Sequence, residues 1–543
     1  MLARPERGRH FCRTYDKDKT MRQRGFAAAA LAVLAVAVPL CPAQAEPVNA
    51  KVVMHAPLRV LDPVLTNAYI TRNHGYMVYD TLFSLDAASR PQPQMVESWT
   101  VSPDQLTYVF TLRPGLKFHD GAPVTGEDVV ASLKRWAQRD PIGSRLSAIT
   151  ESMDSPSANT FRIVLTKPYG LLLDALAKPG SPVPFIMPRR IAATPPSEAI
   201  KETVGSGPYK FVQAEFQAGV KAAYVKNADY VPRKEPASRF AGGKVAMFDR
   251  IDVVNVPDAQ TAVNALRQGE IDFVENVAPD LLPQLDGVKS VTVQSYGDAS
   301  ETYTLRMNWK QPPLDNVKVR RAVLAALYQA DYLDASLGDP AYYKLCGAML
   351  SCISAYQTEA GATQTKPANL AQARALLKDS GYAGEKIVVL HPTDVRSLST
   401  LAPVTAQALR SIGMNVEVQS MDWATLLSRR SKDAPLADGG WSIFHSSLTS
   451  MDLLNPIVNA NLDGRGEGGY PGWTKDDTIQ RLRAEFESVT GLDAQKRVAA
   501  EIQQRAYEQV MFVPLGGYSE FKAYDKKFDG MVSAPLPLFW RGK

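Results

Sequence analysis

The pattern nearest to a catalytic one is Ser519-Glu520-Phe521-Lys522, a hydroxyl three positions before an amine, the S-x-x-K spacing of serine acyl transfer. Its usual companions S-D-N and K-T-G do not occur in the chain, nor do H-E-x-x-H, G-x-S-x-G or G-x-x-x-x-G-K-[ST]. A four-residue match arises by chance in 543 residues, so amide hydrolysis stays a secondary reading. Metal chemistry has little to build on. Beyond residue 45 the histidines are His55, His74, His119, His391 and His445, scattered and without a cysteine-rich partner motif. Cys346 and Cys352, six residues apart, read instead as a disulfide closing a short loop, worth about 2 kcal/mol on the chain-entropy estimate. The aromatic residues suit binding better than catalysis. Trp423 and Trp441 each offer a broad apolar face with one N–H to orient a polar group, and Arg430 offers a planar fork for a carboxylate if it faces a ligand.

These residues must be positioned by a chain long enough for two or three domains. Its beginning reads as an export signal. Arg22 and Arg24 precede an uncharged run over 26–40, and Ala43-Gln44-Ala45 supplies small residues for a leader peptidase. The run falls short of the ~20 apolar residues that span a bilayer. Residues 1–45 are thus expected to be a signal peptide, with Met21 as the start and cleavage after Ala45. Cys41 follows Pro39-Leu40 rather than a small residue, which argues against lipidation, and the absence of an Arg-Arg pair argues against a twin-arginine route. The formal charge of +5 belongs to that segment: it holds eight Lys/Arg and three Asp/Glu, leaving 53 of each in the rest. A neutral mature chain implies neither nucleic acid nor an anionic membrane surface as partner.

Within the mature chain, strand-like and helix-like runs alternate, which indicates α/β or α+β lobes. Residues 95–143 show the local grammar. The period-2 pattern over 107–112 predicts a strand, Arg113-Pro114-Gly115 and His119-Asp120-Gly121 predict turns, and Thr125 three residues before Asp128 predicts a helix start.

That block, with its F-H-D-G turn, resembles the defining block of the family 5 solute-binding proteins of bacterial ABC importers, the peptide, dipeptide and nickel binders. Four further stretches resemble the family: Val60-Leu61-Asp62-Pro63 with Tyr79-Asp80-Thr81-Leu82; Gly205-Ser206-Gly207-Pro208-Tyr209; Val256-Pro257-Asp258 through Gly269-Glu270-Ile271-Asp272; and Asn308 through Pro312-Pro313-Leu314-Asp315 to Val319-Arg320-Arg321-Ala322. The match is dense from Val60 to Ala326 and looser after Ala330. The resemblance implies an α/β, two-lobe periplasmic-binding-protein-like fold (type II, cluster C) with an extra subdomain inserted in the first lobe. The expected division is lobe I from 46–73, 203–272 and 509–543, the insert from 74–202, and lobe II from 273–508. Crossings are expected near Asp272 and Gln509, with closure about a hinge.

The resemblance also implies where a ligand is held. Trp423, Trp441 and Tyr518 resemble cleft aromatics; Arg430, Phe444, Tyr303 and Arg396 complete the expected ligand-binding set. Phe444 stands where peptide-binding relatives carry an aspartate that receives the ligand's ammonium. Either the ligand has no free amine there, as in a modified or cyclic peptide or an opine-like conjugate, or Asp438 or Asp452 substitutes. His445 beside Phe444 opens a nickel-chelator reading. The expected protein is a monomeric periplasmic binder with no cofactor and no catalysis, delivering a peptide-like solute to an inner-membrane permease with separate ATPase subunits. A chaperone or chemosensory adaptor is the remaining alternative class.

Overall fold

A computed structural model describes residues 47–297 and 300–542; the signal-peptide expectation lies outside them. Two large sheets organise the chain. The first runs Tyr209–Phe211, Lys221–Lys226, Arg250–Val254, Asn49–Val53, Phe273–Val274, Phe521–Asp525 and Val291–Ser295 in spatial order. The second runs Tyr343–Lys344, Val513–Tyr518, Glu301–Met307, Ile443–Thr449, Lys386–Pro392 and Asn415–Met421. A four-stranded sheet, Val96–Val101, Thr107–Leu112, Thr160–Leu165 and Thr150–Ser157, lies between residues 74 and 202 and packs against helix Gly126–Ala137. No helix among the described residues is long and apolar enough to cross a membrane.

The chain changes sheets later than expected. Phe273–Val274 lies inside the first sheet, parallel to Asn49–Val53, so the passage near Asp272 is not a crossing. The first crossing falls between Ser295 and Glu301, and the second between Tyr518 and Phe521 rather than near Gln509. Strand Val513–Tyr518 therefore belongs to the second sheet, and Val291–Ser295 to the first. An alternating strand pattern states that one face is buried, not which sheet buries it.

The motif blocks have local causes. In 256–272, Asp258 caps helix Ala259–Gln268 by accepting from the Thr261 N–H, and Gly269 ends it at φ 74°. Strand, helix and strand then flank Asn49–Val53 as a parallel unit. Thr125 and Asp128 form the capping box of Gly126–Ala137. Buried Asp62 accepts two bonds from Arg135, at 3.1 and 2.7 Å, and one from the Ile200 N–H, tying three distant segments together. At Gly205 an added Cβ would lie 2.0 Å from the Val78 carbonyl oxygen, so the turn admits only glycine. Arg320 lies over the Trp309 ring at 3.6 Å and donates to the Leu314 and Asp315 carbonyls, which makes the 308–320 block a folding clasp. Cys346 and Cys352 are joined as a disulfide.

Candidate functional site

The second crossing passes beside a cleft of about 380 Å³. The first sheet supplies Val53 to His55, Asn276 and Phe521; the second supplies Tyr303 and Tyr518; Ser519 and Glu520 lie on the second crossing. Period-2 alternation explains the second sheet's contribution. Glu301 and Tyr303 share one face of their strand, Ser447 pairs with Tyr303, and Tyr518 pairs with Glu301. The Ser447 hydroxyl bridges Glu301 Oε2 at 2.7 Å and the Tyr518 hydroxyl at 2.9 Å. The Tyr303 and Tyr518 rings stack with centroids 4.2 Å apart.

Helix Tyr69–Val78 adds a second layer from the first lobe. Tyr69, Arg72 and Asn73 occupy positions i, i+3 and i+4 and so share a helix face. The Asn73 amide donates to Glu275 Oε1 at 2.8 Å, and the His55 backbone N–H bonds Glu275 Oε2 at 2.8 Å, as does His55 Nδ1. Arg72 lies over the Tyr69 ring at 4.5 Å, while the Tyr69 hydroxyl donates to Asp452 Oδ2 at 2.5 Å, across the lobes. Asn276 donates to Glu520 Oε1 at 3.0 Å.

The electrostatics are strongly acidic. Burial, then the repulsion of Glu520, raises the Glu301 pKa well above the usual carboxylate range, with Asp452 adding to it and the Ser447 bond opposing. Glu520 is raised by burial and by Glu275. Burial would raise Glu275 too, but His55 holds it below its ordinary value. Burial pulls His55 down, and Glu275 outweighs that and raises it.

Three of the seven expected ligand residues, Tyr303, Tyr518 and Arg396, line this cleft. Arg396 also pairs with Asp280 of the first lobe at 2.9 Å. The other four gather elsewhere and are corrected. Trp441 and Phe444 are fully buried in a small core with Val388, Leu390, Leu426 and Trp473. The Trp441 Nε1–H donates to the Arg430 carbonyl at 3.1 Å. Half-buried Arg430 lies over Phe444 at 5.0 Å and Trp423 at 5.8 Å. The reason is alternation: Phe444 lies three residues before Ser447 and points from the opposite face of the strand. Its replacement of an aspartate therefore says nothing about this cleft. Of the two proposed substitutes, Asp438 is exposed on a separate turn, whereas Asp452 joins the cluster.

The remaining chemistry readings resolve similarly. Ser519 donates to the Gly297 carbonyl at 3.1 Å, and Lys522 lies over the Tyr296 ring at 4.8 Å, with no bond between the two among the described residues. His445 is buried against Thr405, Nε2 to Oγ1 2.7 Å, and burial lowers its pKa to about 3. No group of three or more His, Cys, Asp or Glu among the described residues is placed to hold a metal. Sequence reasoning missed Glu301, Glu275, Glu520, Arg72 and His55 as a set. Their one legible signal is position, since each opens or follows a strand or lies on a helix stripe.

Comparison with known proteins places this geometry in a class. The family model for bacterial extracellular solute-binding proteins, family 5 (middle region), matches residues 90–457. The chain belongs to that family, a substrate-binding family of transport systems. It is 40% identical over 89% of its length, and 91% of the relative's, to the probable peptide ABC transporter periplasmic-binding protein y4tO of Sinorhizobium fredii. Its fold resembles the crystal structure of the ABC transporter substrate-binding protein CtaP from Listeria monocytogenes, with TM-score 0.76, 20% identity and coverage of 91% of this chain and 97% of that one. It also resembles DppA from Helicobacter pylori in complex with the peptide STSA, with TM-score 0.72, 20% identity and coverage of 92% and 99%.

Proposed function

We propose that this protein is the substrate-binding component of an ABC importer, holding a peptide or peptide-like solute between its two lobes and passing it unchanged to a membrane permease. The observation that carries the reading is the cleft at the second crossing, where the second sheet presents Tyr303 and Tyr518, and the crossing itself Ser519 and Glu520, to a cavity of about 380 Å³. Cavities of that size enclose small organic ligands, and polar groups on an aromatic wall fix their orientation. The description of the 40% identical relative as a probable peptide binder, and the peptide held by the Helicobacter DppA, favour a peptide as the solute. The protein acts in the periplasm as a monomer and catalyses nothing, and its permease and ATPase are separate chains.

Thermal melts of the purified protein with short peptides test this. A ligand at ~100 times its Kd adds ~2.7 kcal/mol to stability, and the peptide should be recovered intact. Flat melts across the peptide panel, or release of hydrolysed peptide, would overturn it.

A further inference from the structure

The inserted subdomain meets the second lobe along a seam that shares no lining residue with the cleft. A cavity of about 20 Å³ marks the seam, lined from the insert by Leu85, Ile142, Asp174 and Lys178 and from the second lobe by Tyr356 and Leu454. The insert also reaches the second lobe where Arg145 pairs with Glu487 at 2.5 Å and the Gly170 N–H bonds the Glu487 carbonyl at 2.8 Å. Asp174 is the residue that does not fit this surface. It lies half-buried on helix Leu172–Leu176, in a cavity whose other walls are mainly apolar.

No cation answers it. Among the described residues no Lys, Arg or His nitrogen forms an ion pair with Asp174. Lys178, four positions on, is held by Asp140 at 2.7 Å and by the Gly180, Ser181 and Pro182 carbonyls. Helix Pro141–Ala148, packed against this one, brings Asp140 at its cap and Arg145, and both are engaged elsewhere. Strand Phe83–Leu85 brings no charge, and beyond it Arg239 donates to the Ser89 hydroxyl at 3.0 Å. The second lobe presents the phenol of Tyr356, which donates to Gln495 at 3.1 Å, and Tyr169 is the other phenol in reach. A cavity of this size holds about one water, too little to hydrate an ionised carboxylate. Burial accordingly raises the Asp174 pKa to about 7, with only its own backbone N–H opposing. With the lobes apart the second-lobe wall is gone, and the carboxylate meets bulk water, where about 3.9 is its ordinary value.

We propose that the seam is a proton-linked latch: Asp174 is ionised while the lobes are apart and takes up one proton as they close, so that capture of the solute strengthens as pH falls. This rests on the reading of the protein as a binder that closes on a peptide, and adds a control that lies outside the cleft. Proton and peptide favour the same state, so each tightens the other. The closed-state value lies above the open-state one. Affinity is therefore lowest above about pH 7, where both states are ionised, and rises as pH falls toward about 4, by at most about tenfold per unit for one proton.

Titration calorimetry with trialanine and trileucine, on wild type and Asp174→Asn between about pH 8 and about pH 5, tests the latch. Glu301, Glu520 and His55 are present in both proteins, so the difference between them isolates Asp174. Asp174→Asn should bind about tenfold or more tighter than wild type at about pH 8, and the gap should narrow on acidification. Affinities that match at every pH, or a gap that stays constant, would overturn the latch while the peptide reading stands. Binding of neither peptide by either protein would remove both. A second readout needs no variant. In wild-type protein labelled with ¹³C at the aspartate carboxyls, where glutamates are silent, one signal should titrate near pH 7 with peptide bound. Aspartates that all titrate below about pH 5 would overturn the proposal.

Discussion

Glu301 is held where its charge is least comfortable. Burial and the neighbouring Glu520 raise its pKa, and the Ser447 hydroxyl only partly offsets them. A carboxyl whose folded pKa exceeds its unfolded one binds its proton more tightly when folded. Its contribution to stability is present at low pH and lost as pH rises through the raised value. Glu301→Gln keeps the shape and an acceptor for Ser447 but removes the charge. The ligand-free variant should be more stable than wild type at neutral pH. The gap in Tm should close on acidification, as wild type becomes neutral too; a constant gap across the pH range would refute this placement of the charge. Trp441 makes the opposite point. Its size announced a large apolar contact, but residue type does not say whether ligand or core supplies the other half. Here the core does. Trp441→Ala should cost about 3–5 kcal/mol in stability, while whatever remains folded binds peptide as before. A loss of affinity at unchanged Tm would return Trp441 to the site.

Elements were the most legible level. The capping box at Thr125 and Asp128, the cap at Asp258 and the stop at Gly269 each announce themselves through side-chain chemistry that acts within four residues. Long-range pairing does not. The Glu270–Val274 stretch reads as a strand, yet nothing local says that it runs beside Asn49–Val53 rather than across to the other lobe. The same limit hid the acid cluster: Tyr69, Arg72 and Asn73 form a visible helix face, but their partners Glu275 and Asp452 lie some two hundred and nearly four hundred residues on. Asp62 is the structural counterpart, a buried carboxylate that neutralises Arg135 and joins three segments. Asp62→Ala leaves that guanidinium buried and unpaired, and denaturant unfolding should show a loss of about 3–5 kcal/mol. A loss below about 1 kcal/mol would mean that the first lobe does not depend on this clamp.

At the scale of the molecule, the two lobes meet around the cleft. Tyr69 donates to Asp452, Arg396 pairs with Asp280, Arg145 pairs with Glu487 at 2.5 Å, and the Gly170 N–H bonds the Glu487 carbonyl at 2.8 Å. At Gly170 a Cβ would lie 2.1 Å from the Val489 carbonyl oxygen, so this approach needs glycine. Such contacts exist only while the lobes are together, and a ligand between them shifts the balance toward closure by its preference for that state. Tyr69→Phe removes one cross-lobe bond without touching the cleft lining. It should weaken peptide binding by about 1.5–3 kcal/mol, the value of a hydrogen bond to a charged group, and leave the melting of the ligand-free protein nearly unchanged. Unaltered affinity would place the Tyr69 bond outside the closing step. The most direct measurement is small-angle X-ray scattering of the protein alone and with a peptide shown by calorimetry to be bound. The radius of gyration should fall when the peptide enters and recover when it is dialysed away. A peptide bound at full occupancy with no change in the profile would contradict capture by closure between the lobes.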